Sequence, residues 1–185
     1  QDGSTPDTQW KGLMPMARHP QIRNPEKGYV VTANNQVVQD GVGLPIGHEY
    51  DTGYRAQRIE ELLLQAEALD ETAMARIQGD VLAPRARRLV PCLVRACEGA
   101  QLSPMAQQAL SLLKDWDFVM SVDSPAATIF EVVSSRLPDL VWQDEMPDRL
   151  YDKATVHDRS RRPFQTHLDN MLSDGLTPSW FDDGR

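Results

Sequence analysis

The first fifty residues lack any regular spacing of apolar positions. Prolines and a glycine interrupt residues 1–27, which are therefore predicted to be irregular. Residues 29–32, Tyr-Val-Val-Thr, are aromatic or β-branched and lie between Gly28 and Asn34, which predicts a short strand. Residues 39–50 are rich in glycine and predict a loop. We therefore expect an irregular arm over residues 1–50 with one β segment.

From residue 51 the apolar positions recur at the period of an amphipathic helix. Ile59, Leu62, Leu63 and Ala66 share one face of a helix that is predicted to begin at Asp51 or Thr52 and to end near residue 66. Similar apolar stripes predict further helices over 70–82, 84–98, 103–116, 124–137 and 163–173. Residues 139–162 are mixed and charged, and predict short helical turns.

Capping residues and prolines set the predicted helix ends. The candidate N-caps are Asp70, Ser103 and either Asp123 or Ser124. Pro91 predicts a kink, and Pro138 predicts the end of its helix. One strand is too little for a self-contained sheet. The predicted fold class is therefore mainly α with a short β segment near the N-terminus: an arm over 1–50 and a helical body over 51–185, forming one structural unit.

Charge argues against two classes of partner. Lys and Arg number 19 and Asp and Glu 27, so the net charge is 19 − 27 = −8. Such an acidic chain is a poor ligand for nucleic acids or anionic membranes. No apolar run approaches the roughly 20 residues of a membrane span. We therefore predict neither a nucleic-acid nor a membrane partner.

Two features of the sequence could carry chemistry. Asn34 and Asn35 follow the predicted strand, and a carboxamide there could donate a hydrogen bond to developing negative charge. The alternative is that the two amides only form a turn. Arg55 is in the first turn of a predicted helix, where a cation opposes the helix dipole. Arg55 is thus either functional or paired with Asp51 or Glu49.

Other catalytic patterns are missing from the sequence. It has no G-x-S-x-G elbow, P-loop or G-x-G-x-x-G motif. The adjacent carboxylates at 60–61, 144–145 and 182–183 are predicted to be solvated surface. Cys92 and Cys97 are predicted to be free thiols.

Several motifs, taken in order, resemble the penicillin acylase (penicillin amidase) family of N-terminal-nucleophile hydrolases. These motifs are Asn24-Pro25-x-x-Gly28-Tyr29-x-x-Thr32-Ala33-Asn34-Asn35, Gly53-Tyr54-Arg55-Ala56-x-Arg58-Ile59, Ile77-Gln78-x-Asp80-Val81, Trp116-Asp117, Asp123-Ser124-Pro125-Ala126-Ala127 and Trp180-Phe181-Asp182-Asp183. No single motif is specific, but their order is, and together they cover nearly the whole chain.

The resemblance implies a fold and a reaction. The fold would be a fragment of the αββα N-terminal-nucleophile hydrolase architecture. The family cleaves acyl amides through an acyl-enzyme, and the nucleophile is the N-terminal Ser of a large chain released by autocatalytic cleavage. By position in the motifs, Asn34 would donate to the oxyanion and Arg55 would orient the polar network beside it. The helices would line the acyl pocket.

The sequence departs from the family pattern at its start. This chain begins with Gln1 instead of the nucleophilic Ser. We therefore expect an internal segment of the large chain that is inactive alone. Its expected partners are the rest of the same precursor, namely the small chain and the Ser-bearing part of the large chain, and a small acyl-amide substrate.

The resemblance also bears on location and metal content. It implies export, to the periplasm or beyond. It allows a structural Ca²⁺ in the parent enzyme, but no carboxylate here matches such a ligand, and we assign no cofactor to this segment. The alternative function from the residues alone is an autonomous helical protein-interaction module without catalysis.

Overall fold

The computed structural model describes residues 12–38, 47, 50–147, 149–151 and 158–174 of the protein, and gives only the backbone for 158–164. The body consists of helices α1 Tyr54–Gln65, α2 Glu71–Gln78, α3 Pro84–Ala96, α4 Pro104–Lys114, α5 Pro125–Trp142 and α6 Asp158–Ser173. In the arm, Met16–Arg18 forms one 3₁₀ turn. The mainly helical part of the predicted fold class is confirmed.

The strand predicted at residues 29–32 is wrong. The described residues of that stretch carry no ladder, and pairing nearby is limited to one parallel bridge between Asn35 and Asp51. A strand needs a neighbour that offers a row of backbone donors and acceptors. Side chains of α1 contact this stretch instead, so β propensity alone does not produce a strand there.

Side-chain caps at three helix starts are confirmed. Asp70 Oδ1 accepts from Ala73 N at 2.7 Å, and Ser103 Oγ accepts from Ala106 N at 3.3 Å. Ser124, and not Asp123, caps α5, because its Oγ accepts from Ala127 N at 3.2 Å. Each cap satisfies a backbone donor that the first helical turn leaves without an intrahelical partner.

The start of α1 differs from the prediction. Gly53 is the N-cap, with φ of 85° and no side-chain hydrogen bond to the helix. This left-handed conformation favours glycine, which has no Cβ to clash. Asp51 Oδ1 instead accepts from Thr52 N at 2.8 Å, so neither predicted residue caps the helix.

The predicted end of α5 at Pro138 is also wrong. Pro138 is buried inside the helix, which continues to Trp142. A proline in a helix interior costs about 3 kcal/mol or more. Burial of Val141 and Trp142 in the next turn offsets that cost, because both side chains enter a hydrophobic cluster with Leu168 and Met171 of α6.

The main core lies where α3, α4 and α5 meet. Phe130 of α5, 1% exposed, is its largest fully buried side chain, and the ring of the also buried Trp116 lies 5.7 Å from it between centroids. Leu89 and Val90 of α3 and Leu113 of α4 complete the contact. Packing of α3 against both α4 and α1 places the start of α1 at the edge of this core.

We expect Phe130→Ala to lower the free energy of unfolding by about 3–5 kcal/mol, because it removes a large side chain from a packed core. Val132→Ala, on the same helix but 58% exposed, is the matched control and is expected to change it by about 0.5 kcal/mol or less. Urea unfolding of both variants measures the difference. Equal losses would show that Phe130 does not anchor the core.

Candidate functional site

The structure brings the two predicted site residues together. Arg55 Nη2 donates to Asn34 Oδ1 at 2.8 Å, although the residues are 21 positions apart. Asn34 belongs to the arm and Arg55 to the first turn of α1. The site therefore forms where the arm crosses the N-terminal end of this helix.

The backbone around Asn34 is a fixed turn. Asn34 has φ of 62°, a left-handed conformation that asparagine adopts more readily than most residues. The Ala33 N–H donates to Asn35 Oδ1 at 2.9 Å, and the Asp51 N–H donates to Asn34 O at 2.7 Å. Hydrogen bonds on both sides therefore fix the direction in which the Asn34 side chain leaves the backbone.

Arg55 makes two further contacts that fix its guanidinium. Its Nη2 donates to Ala33 O at 2.9 Å and pairs with Asp51 Oδ2 at 2.7 Å. The ion pair with Asp51 is one of the alternatives that the sequence left open, and it offsets the unfavourable helix-dipole position. The other candidate partner, Glu49, lies outside the described residues. The same side chain thus makes the structural ion pair and holds Asn34.

These contacts distinguish the two adjacent amides. A guanidinium has donors only, so the Asn34 edge that faces it must be the carbonyl oxygen. The Nδ2 donor of Asn34 therefore points away from Arg55. Asn35 uses its Oδ1 on Ala33 and donates from Nδ2 to Gln36 O at 3.2 Å, so its amide serves the turn. The turn interpretation fits Asn35, whereas the Asn34 side chain is oriented with its donor edge outward.

A second contact joins the arm to α1. Glu60 Oε1 accepts from Tyr29 Oη at 2.7 Å and from Lys27 Nζ at 3.0 Å. The Lys27 ammonium also lies 4.7 Å from the Tyr29 ring centroid. These two donors, the Tyr29 hydroxyl foremost, hold the pKa of Glu60 below its usual value. The Glu60 side chain is 41% exposed, so it lies at the surface as predicted. Its two partners are 31 and 33 positions away in the sequence, which spacing could not reveal.

The next turns of α1 are tied to the body by charge. Arg58 binds the Asp80 carboxylate through Nε at 2.9 Å and Nη2 at 2.7 Å. Asp80 Oδ1 also accepts from Leu82 N, so the loop before α3 is held as well. The Arg58 guanidinium lowers the pKa of Asp80. Glu61 pairs with both Arg58 and Arg87, and Arg87 is the main reason that the pKa of Glu61 is lowered.

The described ranges contain neither a cluster of metal ligands nor a membrane-spanning helix. Among these residues no three His, Cys, Asp or Glu side chains come together as a metal site would require. None of the helices in that part of the chain has the length and apolar character needed to cross a bilayer. A structural Ca²⁺ elsewhere in the parent stays a prediction.

Fold and site together describe a mainly helical segment that presents an oriented carboxamide held by a guanidinium. Comparison with known proteins gives its class: the chain belongs to the penicillin amidase family, whose model matches residues 1–185. The resemblance in the motifs is thereby confirmed, and the family is one of amidases.

Two relatives illustrate the range of the similarity. The penicillin acylase 2 proenzyme of Pseudomonas sp. (strain SE83) is 32% identical over 139 residues, which is 75% of this chain and 18% of the relative. The acyl-homoserine lactone acylase QuiP of Pseudomonas aeruginosa is 24% identical over 187 residues, 94% of this chain and 22% of the relative. The chain thus spans about a fifth of the length of these relatives.

The Arg58–Asp80 pair predicts an acid-sensitive stability. Because the folded pKa of Asp80 is lowered, its contribution is complete above its unfolded pKa of about 3.9 and is lost as pH falls through the folded pKa. We expect Asp80→Asn to lower the free energy of unfolding by about 2 kcal/mol at pH 7 and by less at pH 2–3. Urea unfolding at the two pH values measures both.

Glu67→Gln is the control, since it removes an exposed carboxylate from the segment that follows α1. We expect it to change stability by about 0.5 kcal/mol or less at either pH. An Asp80→Asn penalty that is the same at both pH values would contradict the role of the ion pair.

Proposed function

We propose that the chain is part of a penicillin-acylase-like hydrolase that cleaves acyl amides through an acyl-enzyme, and that Asn34 donates to the oxyanion. The observation that carries the proposal is the 2.8 Å hydrogen bond from Arg55 Nη2 to Asn34 Oδ1. It fixes the amide with its Nδ2 donor edge outward, which is the orientation an oxyanion donor needs before the reaction begins. Membership of an amidase family supports the same reaction class.

The proposed reaction follows the N-terminal-nucleophile pattern. The hydroxyl of an N-terminal Ser, supplied by another part of the precursor, attacks the amide carbonyl, and its own α-amino group accepts the hydroxyl proton. The carbonyl oxygen becomes an oxyanion and accepts from Asn34 Nδ2. Collapse breaks the C–N bond, the leaving amine takes the proton, and water then hydrolyses the acyl-serine ester. The chain itself supplies the donor and no nucleophile, so it is inactive alone.

Arg55 has two proposed effects on this donor. Its hydrogen bonds to Ala33 O and Asn34 Oδ1 reduce the movement of the amide, so little reorganisation is needed in the transition state. Its positive charge polarises the amide, which strengthens the Nδ2 donor. The ion pair with Asp51 keeps the guanidinium in place when no substrate is bound.

The proposed partners are the remaining parts of the same precursor and a small acyl amide. The short coverage of the relatives supports the first of these. So does the described part of the arm, where Leu13 is 97% exposed, Met16 77% and Ile22 60%. The relatives are named for penicillin and for an acyl-homoserine lactone, and we propose an acyl amide of that general kind. Export to the periplasm or beyond is proposed from family resemblance.

In the full-length protein, we expect Asn34→Ala to reduce turnover of an acyl amide about 100-fold or more, since it removes the oxyanion donor. Asn24→Ala is a matched control, because Asn24 is exposed and also has positive φ, 47° against 62° for Asn34. Both variants place alanine at a positive φ, so the difference in kcat reports mainly on the amide. A near-normal rate for Asn34→Ala would remove Asn34 from the mechanism.

In the isolated 185-residue chain, we expect the apolar residues of the arm to bind the dye ANS or to cause self-association. Replacement of Leu13, Met16 and Ile22 by Ser is expected to reduce both. The same replacement of Leu64, Val122 and Leu140, which are equally exposed on the body, is the control and is expected to reduce them less. A clean monomer that binds no dye would favour the autonomous helical module instead.

A further inference from the structure

We propose that Tyr54 is a positioning residue for the Asn34–Arg55 pair, acting through its hydroxyl, which ties the start of α1 to the buried carboxylate of Asp169. The inference rests on the proposed function of Asn34. It assigns to α6, near the other end of the described chain, a part in placing the oxyanion donor.

Asp169 provides a fixed point inside the body. Its side chain is 1% exposed, and Arg85 of α3 binds it through Nε at 2.8 Å and Nη2 at 2.9 Å. A buried carboxylate is tolerated only when such partners satisfy it. The Arg85 guanidinium in turn lies 5.9 Å from the Phe130 ring centroid. The carboxylate is therefore held on the main hydrophobic core.

Tyr54 connects the first turn of α1 to the Asp169 carboxylate. Its hydroxyl donates to Asp169 Oδ2 at 3.1 Å and accepts from Arg88 Nη1 at 3.2 Å. Burial, followed by the charge of Asp169, raises the pKa of Tyr54, so the hydroxyl stays protonated and continues to donate at neutral pH. The contact joins residues 115 positions apart in the chain.

Tyr54 is adjacent to Arg55, so its contact with Asp169 affects where Arg55 lies. They are consecutive residues of the first turn of α1 and project about 100° apart around its axis. Tyr54 thus faces α3 and α6, while Arg55 faces the arm. No residue of α1 is fully buried, and its apolar Ile59, Leu62 and Leu63 are only partly buried, so directional polar contacts add to apolar packing in fixing the rotation of this helix. The Tyr54 hydroxyl sets the rotation at the end where Arg55 holds Asn34.

The test uses the full-length hydrolase and an acyl-amide substrate. We expect Tyr54→Phe to lower kcat on the order of 10-fold with little change in KM, because a displacement of about 1 Å in a catalytic group can cost up to 100-fold. Tyr151→Phe is the matched control, because the Tyr151 hydroxyl also donates to a partly buried carboxylate, that of Asp139 of α5. We expect Tyr151→Phe to leave kcat within about 2-fold of the parent.

A double-mutant cycle separates positioning from general stability. If Tyr54 acts through Asn34, Tyr54→Phe lowers kcat less than about 2-fold in the Asn34→Ala background. Hydrogen exchange at the Asp51 amide, which donates to Asn34 O, gives a second readout, and we expect it to be faster in Tyr54→Phe and unchanged in Tyr151→Phe. Arg88→Gln, at an exposed side chain that donates to the same hydroxyl, tests the contact if Tyr54→Phe does not fold.

The outcomes distinguish this inference from the function on which it rests. A normal rate for Asn34→Ala overturns both. A large loss for Asn34→Ala, with Tyr54→Phe no worse than Tyr151→Phe, overturns only the role of Tyr54. Additive losses in the double mutant, or unchanged exchange at Asp51 in Tyr54→Phe, also overturn it. Expected results in all three measurements support it.

Discussion

Helix α1 is held to the body by charged and polar contacts and only partly buried apolar residues, and the site depends on that arrangement. None of its residues is buried, yet Arg58 binds Asp80, Glu61 pairs with Arg87, and Tyr54 reaches Asp169. Apolar packing is non-directional, whereas a bidentate ion pair fixes distance and angle. Directional contacts of this kind suit a helix whose first turn must present one guanidinium to one amide.

Polar and charged contacts with α1 also fix the arm. Glu60 of α1 accepts hydrogen bonds from Tyr29 and Lys27. Arg55, five positions earlier on the same helix, donates one to Asn34. The two attachments differ in their surroundings, since Asp169 is buried while the Lys27–Glu60 pair is about half exposed. Salt should therefore weaken the contact of α1 with Asp169 less than it weakens the Lys27–Glu60 pair, which holds the arm.

Local signals predicted the helices and most of their caps, because Asp70, Ser103 and Ser124 act within one turn of their own position. The predictions of a strand at 29–32 and of a helix end at Pro138 were wrong. The first stretch has no neighbouring strand to pair with, and burial of Trp142 favours continuation of the helix past Pro138. Local chemistry singled out Asn34 and Arg55 as candidates, and the family motifs suggested their roles. No local pattern predicts that Glu60, Asp80 and Asp169 find partners 22 to 115 residues away.

The left-handed turn at Asn34 restricts which sequences this position can accept. At φ of 62° the backbone favours glycine, asparagine and aspartate over all other residues. Glycine has no amide, and aspartate would bring a second carboxylate toward Asp51 and compete for Arg55. Conformation therefore restricts this position to a few residues, and chemistry selects asparagine among them. In a randomised library, a screen for folding would recover glycine as well as asparagine, and only a screen for turnover would leave asparagine alone.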